Sequence, residues 1–110
     1  MAGSLEVAVV RHRCPLVLVL GHTGCSAVTL AHTRDRAEGS LYELSRRIRP
    51  AIDSLPSGAT LDQAVEANVL NTVRELRERC RSMREREERG ELQIAGAVYE
   101  LETGTVRMLS

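Results

Sequence analysis

The 110-residue chain contains no lysine, tryptophan or phenylalanine, and Tyr42 and Tyr99 are its whole aromatic complement. Stacking of nucleic-acid bases on aromatic side chains is thereby nearly excluded. An excess of one charge is also missing, because fifteen arginines balance fifteen acidic residues. No uniform positive field exists to gather phosphates, and no nucleic-acid partner is expected. The longest apolar run, residues 15–20, falls far short of the roughly 20 residues that a spanning helix needs, and no basic stretch followed by an apolar one follows Met1. A soluble, unexported, cytoplasmic protein without a membrane partner is expected. Cys14, Cys25 and Cys80 are odd in number and irregularly spaced, which argues against a disulfide framework and for a reducing compartment. With 43% hydrophobic residues, the length fits one domain spanning residues 1–110 and leaves no room for a second.

Leu5, Ala8, Val9 and His12 recur at helical spacing behind Ser4, a candidate N-cap, so residues 4–13 read as a helix ended by Cys14 and Pro15. Residues 15–20 form a continuous apolar, partly β-branched run closed by Gly21, the pattern of a strand buried on both faces in a parallel sheet. Gly21 to Gly24 make a tight turn into a helix of small and apolar residues from Cys25 to Ala31. Residues 33–39 read as a charged loop. Ser40 and Glu43 then have the capping-box spacing, opening a helix with Leu41, Leu44, Ile48 and Ile52 on one face and a kink or split at Pro50.

Thr60 and Gln63 repeat the capping-box spacing at the head of the longest helix. Its seam of Val65, Val69, Val73, Leu76, Cys80 and Met83 steps by three or four residues until Gly90. Leu92, Ile94 and Val98 read as a strand, and residues 102–105 as a turn into a last strand near Val106 to Leu109. The order implies an α/β fold with a mainly parallel sheet flanked by helices and a C-terminal β-hairpin. Within residues 74–89, glutamates interleave with the arginines, and Glu75 with Arg79 and Glu85 with Arg89 are favourable (i, i+4) pairs. A solvated, ion-paired helix face is expected there rather than a nucleic-acid surface. The apolar seam alternatively suits a partner helix in a dimer.

The chemically loaded segment is Gly21-His-Thr-Gly-Cys25, at the carboxyl end of the buried strand, where open α/β sheets place their ligand sites. His22 and Cys25 form an H-x-x-C pair, and imidazole and thiolate are both good zinc ligands. Two ligands make no zinc site, since tetrahedral zinc takes four, or three plus water. A turn histidine beside a buried cysteine is the competing reading. Nucleotide binding has little support, because the turn lacks both G-K-[ST] and G-x-G-x-x-G.

Leu16-Val-Leu-Val-Leu-Gly-His-Thr-Gly-Cys-Ser-Ala-Val28 resembles the second zinc-ligand segment of β-class carbonic anhydrases, usually written G-H-x-x-C-G-A. Residues 3–9 resemble the helix before that strand, residues 48–52 the family's kinked helix, residues 65–69 its long helix and residues 96–106 its closing hairpin. Nearly the whole chain is colinear with the C-terminal part of such an enzyme. The resemblance implies a zinc protein that reversibly hydrates carbon dioxide to bicarbonate, with His22 and Cys25 as metal ligands and a homo-oligomeric state, a dimer or higher. The bound metal would ionise its water near neutral pH.

The family's other motif, C-x-D-x-R, supplies a first cysteine ligand and an Asp-Arg dyad on an upstream strand, and nothing before His22 resembles it. The domain is therefore read as incomplete at its N-terminus, and the chain alone as inactive or weakly active. The alternative is a non-catalytic remnant or a dimer-forming interaction module. Cys14 begins the strand whose far end carries His22, roughly 20 Å away in the same chain. Cys80 lies on the helical seam as a structural thiol. Ser26 replaces the family's usual glycine after the ligand cysteine. His32, two helical turns beyond Cys25, and His12 read as helix-end residues.

Overall fold

The computed structural model describes residues 2–34 and 38–109. Residues 35–37, in the expected charged loop, lie outside the described set. Helix α1 (Ala2–Glu6) continues into a widened turn, Val7–Arg11. Strand β1 (Leu16–His22), α2 (Ser26–Thr33), α3 (Gly39–Asp53), α4 (Leu61–Arg79), α5 (Arg81–Glu88), β2 (Gln93–Glu100) and β3 (Thr105–Met108) follow. The sheet order is β1-β2-β3, with β1 and β2 parallel and β2 and β3 antiparallel. The α/β class and the closing hairpin therefore stand as expected.

One side of this sheet is finished. Val17, Val19, Gly21, Ile94 and Val98 alternate onto the face that carries the helices. There Val9, Val73, Cys80, Met83 and Leu92 pack around Val17 and Ile94. Further along, Val28, Ala31, Ile48, Ala64, Val65 and Val69 pack around Val98. A Cβ on Gly21 would lie 2.5 Å from Val69 Cγ2, so the glycine is what lets α4 approach β1.

The other side is open. Leu16, Leu18 and Leu20 are 47%, 42% and 52% exposed, and Val106 and Met108 on β3 are about half exposed as well. The expectation of a strand buried on both faces is thus corrected. Among the described residues every helix that contacts β1 lies on the Val17 side, and nothing is laid on the leucines.

Other expectations about the helices are corrected as well. The first helix starts at Ala2 rather than behind Ser4. Helix α3 is entered from Glu38 with no side-chain cap, so the Ser40–Glu43 box does not form, and the helix runs unbroken through Pro50. Its buried face is Ser45, Ile48 and Ala51, while Leu41 and Leu44 are exposed. The Thr60–Gln63 box, by contrast, forms both reciprocal bonds, at 3.2 and 2.8 Å.

The long seam is buried as expected but not in one helix, because Cys80 adopts φ −111° and ψ 87° between α4 and α5. The bend brings Arg77 against Glu87 with three bonds of 2.9 to 3.1 Å. In a straight helix these residues would stand about 15 Å apart along the axis. The seam packs on the chain's own sheet, so it offers no surface to a partner helix. The arginine-rich segment is ion-paired as expected, through Arg77–Glu87, Arg81–Glu85 and contacts of Arg86 and Arg89 with Glu91. The two specific pairs read from spacing are replaced by these.

Candidate metal centre

The strand carries its pairing one residue past Gly21, so His22 is the last residue of β1, opposite Tyr99 of β2. Two bonds then pin the turn to the end of β2. Thr23 N–H donates to the Tyr99 carbonyl at 3.0 Å, and the Leu101 N–H donates to Thr23 Oγ1 at 3.0 Å. Gly24 takes φ +67°, a left-handed conformation that costs glycine nothing. Cys25 is the extended residue before α2, and its carbonyl accepts from Thr29 N–H at 2.9 Å and Thr29 Oγ1 at 2.7 Å.

This turn holds His22 exposed and Cys25 half-buried at one end of the sheet. His22 Nδ1 lies 3.0 Å from the Thr23 carbonyl. A carbonyl only accepts, so Nδ1 is the donor in this contact, and a neutral ring bonded in this way has its lone pair on Nε2. Metal-ligating histidines are commonly held in this way by a second hydrogen bond. Thr23 is the site residue that sequence reasoning missed. Its signal is weak, since a turn threonine can bond many partners and only the register of β2 selects Tyr99 and Leu101.

The donor set stops at two. No group of three or more histidine, cysteine or acidic side chains suited to a metal ion occurs among the described residues. A cleft of about 190 Å³ beside the turn is lined by Thr23, Asp62, Glu100, Glu102 and Thr103, but these carboxylates do not join His22 and Cys25. Zinc wants at least three protein ligands, so the pair within one copy does not satisfy it.

The remaining candidates are placed plainly. Cys14 is half-buried at the opposite end of β1, and its Sγ donates to the Leu16 carbonyl at 3.2 Å. Cys80 is buried in the helical core, where burial first and Glu6 second push its thiol pKa up. It is a packing residue. His32 Nε2 bonds the Ala59 carbonyl at 2.9 Å, fastening α2 to the loop before α4. His12 is exposed just after the widened turn.

A sequence profile of the carbonic anhydrase family matches residues 1–106. Carbonic anhydrase 2 of Mycobacterium tuberculosis is 33% identical over 93% of this chain and 52% of its own length. The carbonic anhydrase of Mycolicibacterium smegmatis is 30% identical over 98% of this chain and 55% of its own. Among solved structures, the β-carbonic anhydrase CafA of Aspergillus fumigatus superposes with a TM-score of 0.80 at 26% identity, covering 98% of this chain and 54% of that one. The β-carbonic anhydrase CcaA gives 0.76 at 23% identity, covering 94% and 51%.

The chain belongs to the β-carbonic anhydrase family. It spans about half the length of the curated relatives it matches.

Proposed function

We propose that this chain carries part of a β-carbonic-anhydrase zinc site, with His22 and Cys25 as metal ligands, and that its family reaction is the reversible hydration of carbon dioxide to bicarbonate. The observation that carries the reading is the pinned turn at the carboxyl end of β1. It presents an imidazole with a free Nε2 and, three residues on, a half-buried thiol, in a chain whose family membership extends over residues 1–106. The single domain is incomplete as a catalytic unit. Two donors within a copy hold zinc loosely. Alone, the chain hydrates carbon dioxide weakly or not at all. Homo-oligomerisation fits the open sheet face, and one solved structural neighbour of this fold, from Sordaria macrospora, is a tetrameric β-carbonic anhydrase. No helix among the described residues is long and apolar enough to cross a membrane, which is compatible with a cytoplasmic setting.

A second reading, a non-catalytic interaction module, draws on the two-donor count and the bare leucines. Zinc affinity measured by chelator competition, together with stopped-flow carbon dioxide hydration, separates the two. Zinc binding that weakens at least tenfold in both His22→Ala and Cys25→Ser supports the metal reading. Zinc affinity indifferent to both substitutions leaves only the interaction module.

A further inference from the structure

The balanced total of charge hides one local surplus. Val9, Arg13, Cys14, Arg86, Arg89 and Glu91 line a cleft of about 400 Å³ where the chain leaves the widened turn and where α5 ends, so three guanidinium groups face one carboxylate. Other arginines are matched, as Arg77 is by Glu87, Arg81 by Glu85 and Arg107 by both Glu66 and Glu100. In the cleft, a single oxygen of Glu91 lies 3.5 Å from Arg86 and 3.5 Å from Arg89, well beyond the roughly 2.7–2.9 Å of a charge-assisted hydrogen bond. None of the ion pairs among the described residues includes Arg13.

Arginines at helix ends ordinarily answer the last free carbonyls. Here the backbone has already done so. At the end of α5 the N–H groups of Arg89, Gly90 and Glu91 donate to the carbonyls of Glu85, Glu87 and Arg86, and after the widened turn those of His12 and Cys14 donate to Val7 and Ala8. Among the described residues the side-chain hydrogen bonds of arginine belong to Arg34, Arg74, Arg77, Arg81, Arg84 and Arg107, and none to the three in the cleft. The Arg86 side chain is nonetheless only 21% exposed, so a cation partly withdrawn from water has no close acceptor there. Arg13 takes φ +51°, a left-handed conformation that glycine or asparagine holds at less cost. Gathering three like charges in one cleft is unfavourable, and an anion in their midst offsets that repulsion.

We propose that this cleft binds a phosphoryl dianion, as free phosphate or as the monoester of a small molecule, through the guanidiniums of Arg13, Arg86 and Arg89. A planar guanidinium matches two oxygens of one phosphoryl group. Three of them against Glu91 leave a formal surplus of two positive charges, close to the charge of a phosphate monoester near neutral pH. A singly charged anion answers only half of it. The volume lies within the range of small-molecule sites, and Val9 with the arginine stems gives an organic remainder an apolar wall. Glu91, held loosely between two of the cations, is the built-in competitor, so removing its charge tightens the site. The cleft lies at the Cys14 end of β1, opposite the His22 turn, and the inference does not rest on the metal reading.

The test is calorimetric titration of the full, metal-free chain with inorganic phosphate and with glycerol phosphate, against sodium chloride at matched ionic strength. The expected result is saturable binding at one site per chain, weakened at least tenfold in Arg86→Gln and at least threefold in Arg13→Gln and in Arg89→Gln. Glu91→Gln should bind at least threefold more tightly, and Arg81→Gln, outside the cleft, should bind as the wild type does. Tighter binding of the ester supports the site with a phosphorylated small molecule as its ligand, and tighter binding of inorganic phosphate supports it with the free ion. No saturable binding above the chloride control, or a loss in Arg81→Gln as large as that in Arg86→Gln, overturns the proposal. Should Arg86→Gln fail to fold, the wild-type chain carries its own probe, because Cys14 lines the cleft. Peptide mapping after iodoacetamide treatment should show phosphate slowing the alkylation of Cys14 at least threefold and leaving that of Cys25 unchanged. Alkylation of Cys14 at the same rate with and without phosphate overturns the proposal.

Discussion

The two faces of the sheet differ in what holds them. On the Val17 side, residues from α1, α4, α5 and both parallel strands close around Met83 and Val73, and large side chains there are fully buried. On the Leu18 side, three leucines, Val106 and Met108 stand about half exposed, although their hydrophobicity is no lower. Hydrophobic patterning specifies which residues want cover, while the course of the chain decides which of them receive it. Monomeric proteins rarely leave a contiguous apolar patch of this kind without a use for it. The candidate metal turn is held by the finished side, through its bonds to the end of β2.

Substitutions on the covered side should therefore cost far more than those on the bare one. The largest effect is expected for Met83→Ala, whose side chain is completely enclosed. A loss of about 2–5 kcal/mol is expected from the cavity it leaves, read from urea unfolding; a loss under 1 kcal/mol would show that the core collapses around it. Gly21→Ala should cost about 1–3 kcal/mol by overpacking, because its Cβ would press on the branched side chain of Val69. It should also disturb the turn that carries His22, lowering zinc affinity alongside the midpoint. Thr60→Ala removes an acceptor from the reciprocal cap of α4 and should cost about 1 kcal/mol, with Thr60→Ser close to neutral.

On the bare side, Leu18→Thr should change monomer stability by no more than about 0.5 kcal/mol while weakening self-association. A large loss of stability there would mean that the open face is covered after all. The smallest effect concerns pH. Burial holds the Cys80 proton more tightly in the folded state, so the unfolded state loses that proton first as pH rises. The resulting stability is fully present below the ordinary thiol range and is lost as pH climbs through it toward the raised folded value. Cys80→Ala should flatten this alkaline limb of the unfolding profile even though it lowers stability overall.

Much of this was legible in the sequence where a local signal and the tertiary outcome agreed. The Thr60–Gln63 box, the 3.6-residue seam through Val73 and Met83, and the hairpin from β2 to β3 have short-range causes. The G-H-x-x-C turn was legible as family membership. The misreadings share another origin. Apolar residues at Leu16, Leu18, Leu20, Leu41 and Leu44 were assigned to a core because hydrophobicity was taken as burial, yet what covers a face is set by distant elements. Cys80 carries no helix-breaking signal, and the bend there brings Arg77 to Glu87 while Met83 stays in the core. The role of Thr23 depends wholly on the β1–β2 register.

Amide hydrogen exchange along β1 tests the open edge most directly. In dilute, metal-free protein the amides of Val17, Val19 and Gly21, turned toward β2, should be protected, while those of Leu18, Leu20 and His22 exchange close to the rate of an exposed strand. Equal protection of both sets in the dilute chain would contradict it.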